Sequence, residues 1–304
     1  MTPQVSIIIP AYKPGHLLQA LASAFAQRGD DYEVIVVNDG SPFSIRDLLR
    51  PLVEDGRILY IEQENKGTAA ARNRGLGAAH GKYVAFLDDD DYWPDDKLEW
   101  QARYLDEDPG LGMIAGNATI VDEAGNVKTE EPVKAGFVTL EGMFSGCNIT
   151  SPGQTLIRRE VMGEQALDEN LSGADDVDLW LTLAGKSRVM MVPRLALYYR
   201  LHETNASRDN LSICLKTQRA IGKHLALASR RDRARYWSSA ASWLFPLRGI
   251  FIIREWKRRL VCGEWRHSGK YLSAITWFVR GALPDPSLLS AVGREILPWR
   301  FFAK

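Results

Sequence analysis

Apolar residues along this chain fall into two recurring patterns, short continuous runs and helix-spaced sets, and the two alternate. Val5-Ser6-Ile7-Ile8-Ile9-Pro10 is a β-branched run closed by proline, the pattern of a buried strand. His16 to Gln27 then places Leu17, Leu18, Leu21, Ala24 and Phe25 at helical spacing. Strands are predicted at Glu33 to Val37, Ile58 to Ile61 and Tyr83 to Leu87, with helices at Ile45 to Val53 and Thr68 to Ala79 between them. Such alternation argues for a mostly parallel, doubly wound α/β sheet. Further on, a helix capped by Asp95 or Asp96 runs to about Leu105. Strands are expected at Met113 to Val121, Gln154 to Ile157, Val189 to Val192 and Ala196 to Arg200, with a helix at Asp176 to Lys186. Between Lys128 and Pro152 the pattern weakens to a glycine-bearing loop with one short helix near Leu140 to Phe144.

Beyond Ser207 the character changes to helices at Leu211 to Leu227, Ala234 to Trp243 and Lys270 to Gly281. The division expected is therefore 1–207, an α/β domain, and 208–304, a basic helical extension holding Trp237, Trp243, Trp256, Trp265, Trp277 and Trp299. The formal net charge of zero hides an asymmetry. Residues 208–304 carry 19 Lys and Arg against 6 Asp and Glu, a net of +13, which leaves −13 on the first 207. That distribution suggests an acidic catalytic portion and a basic portion facing an anionic surface. With Trp243 to Arg254 mixing apolar and basic residues, the expected surface is a membrane, with a packed helical subdomain or oligomer interface as the competing reading. Nucleic acid is disfavoured, because the acidic portion would oppose it.

Cys147, Cys214 and Cys262 are odd in number and without metal spacing, as in a reduced, cytoplasmic protein. The N-terminus lacks the pattern of a signal peptide, and no apolar stretch approaches the ~20 residues needed to cross a bilayer. The localisation expected is cytoplasmic, at the inner face of the cytoplasmic membrane if the tail binds lipid.

The chemistry centres on Phe86-Leu87-Asp88-Asp89-Asp90-Asp91, an apolar run ending in four carboxylates. An acidic run is ordinarily a solvated loop. This one sits at the end of a predicted buried strand, where α/β sheets carry ligands. Mutual repulsion would be relieved by a hard divalent cation, towards which Asp88 and Asp90 share a face. Asp39, in the turn Asn38-Asp39-Gly40-Ser41, is either an ordinary turn residue or an acceptor for a base or ribose. Arg72 and Arg74 follow a glycine turn into a helix, a place that can hold phosphate, although surface arginines are common. Asp175 and Asp176 open a helix, as caps or with one of them as a general base. His202 is structural or an additional metal ligand.

Taken in order, these motifs and the run Val5 to Tyr12, Ala71-Arg72-Asn73-Arg74-Gly75, Asp175 to Trp180 and Tyr199-Arg200-Leu201-His202 resemble the family 2 glycosyltransferases over about residues 3 to 207. The resemblance implies a GT-A fold, a Rossmann-like mixed sheet, and inverting transfer from a nucleoside-diphosphate sugar, UDP-linked, to a glycan or lipid-linked acceptor. It implies Mn²⁺ or Mg²⁺ as cofactor. Pro10, Ala11 and Tyr12 would line the base pocket, Asp39 would bind the base, and Arg72 and Asp89 would lie at the nucleotide sugar. Asp88 and Asp90 would form a DxD pair, with Asp88 near the ribose or metal and Asp90 on the cation. Asp176 would be the base and His202 would assist at the metal. Asp175 stands where the family commonly has Glu. Two other readings remain, a nucleotidyltransferase and a catalytically inactive nucleotide- or glycan-binding protein. The first would show a glycine-rich basic loop after strand one, where this chain has Pro10-Ala11-Tyr12-Lys13-Pro14-Gly15.

Overall fold

The computed structural model describes residues 3–29, 31–146, 149–163, 167–203, 209–261 and 268–282, with 288, 290 and 292. Cys147, Asn148, Cys262, Trp265 and Trp299 lie outside the described residues, as does the expected boundary at Ser207 and Arg208. Contacts divide the chain into two compact units, Met1–Thr139 with Cys147–Asn205, and Leu140–Gly146 with Ala206–Lys304.

In the first unit the elements are β1 (Val5–Ala11), α1 (Leu17–Phe25), β2 (Tyr32–Asp39), α2 (Ile45–Glu54), β3 (Leu59–Gln63), α3 (Thr68–Ala78), β4 (Tyr83–Phe86) and α4 (Lys97–Glu107). Then come β5 (Leu111–Val121), β6 (Val127–Glu131) and β7 (Gly136–Val138), followed, after α5 (Leu140–Phe144) of the second unit, by β8 (Thr155–Arg158), α6 (Arg159–Met162), α7 (Asp175–Lys186) and β9 (Arg188–Arg200). They build one sheet in the order β3-β2-β1-β4-β8-β5-β9-β7, with β6 added beside β5. The first four strands are parallel. The sheet as a whole is mixed, because β8 runs antiparallel to both β4 and β5. Two reversals restore direction, so β5 and its parallel neighbour β9 end at the same edge as β1, β2 and β4. That shared edge gathers the motif residues.

The apolar runs form strands because both faces are covered: every residue of β1 and β4 is buried. Helix α3 lies close on the sheet, since a Cβ at Gly75 would stand 2.4 Å from Ile8 Cγ2. Glycine there lets the helix seat, which turns Arg72, one turn earlier, towards the sheet edge.

Three expectations need correction. The stretch after Lys128 contains two short strands rather than loop alone, β6 and β7; β6 is almost wholly exposed and polar, so it lacks an alternating apolar face. The two strands expected between Val189 and Arg200 are a single β9, in which the register against β5 shifts around Pro193, a residue strands admit at bulges. Asp96 is the N-cap residue of α4 but makes no capping bond; its carboxylate pairs with Arg194.

The second unit joins α5 to α8 (Asn210–Leu227), α9 (Arg230–Leu244), a π-turn at Phe245–Gly249, α10 (Ile250–Val261) and α11 (Ser268–Ala282). Trp237, Trp243 and Trp277 are used in packing. Trp243 Nε1 donates to Phe144 O at 2.8 Å, and the Trp237 and Trp277 rings lie 5.9 Å apart. Cys214 is fully buried, and burial pushes its thiol up to about 12, so it is inert. Among the described residues no helix is long and apolar enough to cross a membrane.

Candidate active site

Each carboxylate of the acidic run has a different protein partner, which is how four adjacent Asp residues coexist. Asp88 Oδ1 accepts from Arg72 at 2.6 Å, and the Ser151 hydroxyl stands 3.5 Å from Asp88 Oδ2. Asp89 Oδ2 accepts from the backbone N–H groups of Tyr12 and Lys13, at 2.8 and 3.0 Å. Asp90 Oδ2 meets His202 Nε2 at 2.8 Å. Asp91 Oδ1 accepts from Arg200 N, while its Oδ2 is buried and unpartnered. Burial, with the charges of Asp90 and Asp88, holds the Asp91 carboxyl well above the usual range. Burial and the same neighbours raise Asp89 to about 7, and burial with the Asp88 charge raises Asp90 as well.

Arg72 connects the two acidic clusters, although 103 residues separate it from Asp175. Its guanidinium, buried, donates to Asp88 and, at 2.9 Å, to Asp175 Oδ2. Burial opposes its charge, but the two carboxylates outweigh that and push its pKa up. Asp175 is fully used, since its Oδ1 accepts from Gly173 N. Asp176 beside it is half-buried; Oδ1 takes Val177 N at 2.7 Å, and Oδ2 has no protein donor among the described residues. Burial and the Asp175 charge push Asp176 up to about 7, against the pull of Arg72. The N-cap of α7 is Ala174, so neither Asp is the capping residue. Asp176 therefore presents a free carboxylate oxygen that gains protons near neutrality, the requirement for a general base.

The remaining expected residues stand on the same edge in different roles. Pro10 and Ala11 are buried opposite Val37 and Asn38, and Tyr12 is exposed just beyond. Asp39 ends β2 with its carboxylate accepting from Gln63 Nε2, Lys66 N and Gly67 N at 2.8 to 2.9 Å. It ties the β3–α3 loop, and one lone-pair position is left for a ligand. Asn117, on β5, spends its side-chain oxygen on Val133 N.

One hub escapes sequence reasoning. Arg200, 2% exposed, donates from Nε to Asp90 O, from Nη1 to the carbonyls of Asp122 and Glu123, and from Nη2 to Gln19 Oε1. The Tyr92 and Tyr198 rings stack beside it with centroids 4.6 Å apart. Together these fix the end of β9 against the acidic run and bring His202 to Asp90. Only the basic residue before a histidine hinted at this.

Among the described residues no three His, Cys, Asp or Glu side chains gather as a ligand set. Asp90 and His202 nevertheless fit a divalent cation of the kind held by one or two side chains, with diphosphate oxygens and water completing the shell. Asp88, paired with Arg72, is the third candidate ligand.

The sequence pattern of "Glycosyl transferase family 2" matches residues 6–164, more than half of the chain. The chain belongs to that family. An uncharacterized glycosyltransferase of Rickettsia felis is 33% identical over 190 residues, 61% of this chain and 31% of that protein. The chain thus spans about a third of the length of such relatives. The putative teichuronic acid biosynthesis glycosyltransferase TuaG of Bacillus subtilis is 32% identical over 194 residues, covering 60% of this chain and 73% of TuaG. In three dimensions the family 2 fold extends to S. aureus TarS 1-349, with a TM-score of 0.66 at 18% identity, covering 95% of this chain and 83% of that one. The architecture is the GT-A α/β fold followed by a helical region.

Proposed function

We propose that this family 2 member is an inverting, metal-dependent glycosyltransferase that moves a sugar from a nucleoside-diphosphate donor, UDP-linked, to a hydroxyl acceptor in cell-envelope polysaccharide synthesis. The observation that carries the reading is the Asp88–Arg72–Asp175 bridge, which sets the free oxygen of Asp176 at the same sheet edge as Asp90 and His202. TuaG and the succinoglycan biosynthesis protein ExoW of Rhizobium meliloti support the substrate class, and TarS structures in complex with UDP and UDP-GlcNAc support the donor.

In this mechanism Asp176 takes the proton of the acceptor hydroxyl as that oxygen attacks the anomeric carbon. The bond from that carbon to the diphosphate oxygen breaks on the opposite face, and the electron pair leaves with the diphosphate. Asp90 and His202 would hold the Mn²⁺ or Mg²⁺ ion, with Asp88 adjacent; when bound, the ion offsets charge on the departing diphosphate. A nucleotidyltransferase is disfavoured on geometry, because the amides after β1 that would cradle phosphate, Tyr12 N and Lys13 N, are taken by Asp89.

Titration calorimetry tests the donor site. UDP is expected to bind at least tenfold more tightly with Mn²⁺ than with chelator, and Asp90→Asn is expected to remove the difference, given roughly 1.4 kcal/mol per decade of affinity. Equal affinity with and without Mn²⁺ in the wild type would remove Asp90 and His202 from the metal role.

The second unit supports a contact with an anionic membrane. Leu247 and Phe251, 60% and 50% exposed, lie on one stripe with the exposed Arg254 and Arg258. Apolar side chains enter the interface while arginines meet headgroups. The whole protein is expected to sediment with anionic vesicles at low salt, less at high salt, and not after Leu247→Ser with Phe251→Ser. A wild type that stays in the supernatant would make this stripe a packing or assembly surface.

A further inference from the structure

The turn from Ser151 to Thr155 is held from behind by three buried side chains of one neighbouring segment. Trp93 Nε1 donates to Gly153 O at 2.8 Å, Gln101 Nε2 to Gln154 O at 2.8 Å, and Lys97 Nζ to Thr155 O at 2.9 Å. Lys97 and Gln101 are one turn apart on α4, so they reach successive carbonyls from one helix face. On the other side, the Gln154 amide donates to Gly116 O of β5 and accepts from Ser151 N and Thr150 N. Three consecutive carbonyls are thereby each held by a side-chain donor.

Lys97 is the anomaly among them. It is 0% exposed, pairs with no carboxylate among the described residues, and lies 4.2 Å from the centre of the Trp93 ring. Burial pushes its pKa well down, and the hydrogen bond that its amine makes is the one to the Thr155 carbonyl. Filling this space would need only a methionine, which avoids the cost of taking an amine out of water. What the amine adds is a fixed Thr155 carbonyl, and hence a fixed turn.

The turn ends at the candidate active site. The Ser151 hydroxyl accepts from Gly153 N at 3.1 Å and stands 3.5 Å from Asp88. Asp88 is joined through Arg72 to Asp175, next to Asp176. In the displacement proposed above, the donor's sugar ring must lie between the diphosphate at Asp88 and Asp90 and the base at Asp176. A wall beside Asp88, which Arg72 joins to the cluster holding Asp176, is placed where it would border that ring.

We infer that Lys97, with Trp93 and Gln101, is a positioning residue for the donor-sugar subsite, acting through the turn 151–155 and Ser151. The inference rests on the glycosyl-transfer reading, and its consequence is selective: the sugar-dependent step depends on the clamp and nucleotide binding does not. No charge is required of Lys97; a donor at that place is.

The test compares wild type with Lys97→Met in the whole protein by three measurements, namely amide hydrogen exchange across 150–155, UDP affinity with Mn²⁺, and turnover of nucleotide sugars. Lys97→Met is expected to fold and to exchange about tenfold faster at these amides, because local opening is set by the contacts removed. UDP affinity should stay within about twofold, while kcat/KM for the sugar donor falls about tenfold or more, the scale on which small misplacements act. Gln101→Met and Ser151→Ala, which cut the same path elsewhere, are expected to reproduce the split between UDP affinity and donor turnover, and they carry the test if Lys97→Met does not fold. Unchanged exchange and kinetics would overturn the inference. So would UDP affinity, donor turnover and melting temperature falling together, the signature of a merely structural residue. A wild type that turns over no nucleotide sugar overturns the glycosyl-transfer reading and the sugar subsite with it, and exchange then reports on the clamp alone.

Discussion

Asp176→Asn is expected to lower sugar transfer by about 10²-fold or more, the scale of general-base assistance, while leaving UDP affinity unchanged. Asparagine keeps the shape and can keep the contact with Val177 N, but it cannot take a proton. The pH dependence follows from the same carboxyl. Asp176 titrates at about 7 in the folded protein against an ordinary 3.8, so activity should rise as pH passes through about 7, where the base becomes free. Stability runs the other way. Between 3.8 and about 7 the folded state retains a proton that the unfolded state has released, so this group makes stability fall as pH rises through that window. Asp176→Asn removes the penalty and should melt no lower than wild type at pH 8. Thermal melts and initial rates between pH 5 and 9 check both directions. Near-normal turnover in the variant would leave Asp176 with a local role at the start of α7. Asp175→Asn is the comparison: its carboxylate already serves Gly173 N and Arg72, so its defect should appear in stability as well as in rate.

Arg72→Met is expected to cost about 3–5 kcal/mol of stability, the range for removing one partner of a buried ion pair. The guanidinium sits between Asp88 and Asp175, and without it the latter would be a buried carboxylate with no cation beside it. Arg72→Lys should recover part of the loss, because an ammonium restores charge but cannot span both carboxylates with a rigid fork. Denaturant unfolding distinguishes the three proteins. An Arg72→Met variant as stable as wild type would show that the bridge is dispensable to the fold and would weaken the case that it aligns the two acidic clusters. Calorimetry with UDP on Arg72→Lys would then separate loss of alignment from loss of stability.

The sheet was legible because its central strands are buried on both faces and so appear as uninterrupted apolar runs, as in Ile7 to Ile9 and Val34 to Val37. The surface strands were not, since Val127–Glu131 carries almost nothing that must leave water. Within the site, residue types and order pointed to the acidic run, to Asp176 and to His202. Partnerships did not follow from them. That Asp89 is tied to the turn after β1, and Asp39 to the turn before α3, depends on backbone N–H groups that carry no residue signature. The bridge through Arg72 and the hub at Arg200 link positions about a hundred residues apart, and only the strand order brings them together. The aromatic tail left two readings open for a related reason. Tryptophan serves a lipid interface and a small helical core equally well, and Trp243 and Trp237 serve the core.

The central claim is inverting transfer from a nucleotide sugar at the edge shared by Asp90, His202 and Asp176. Its most direct test needs no acceptor, because water can replace the acceptor hydroxyl. With Mn²⁺ and a panel of α-linked UDP-sugars, proton NMR recorded before mutarotation reports the anomer first released. One donor in the panel should yield the β-anomer together with UDP, and Asp176→Asn should suppress both. First release of the α-anomer, or of no sugar from any donor, would contradict the account.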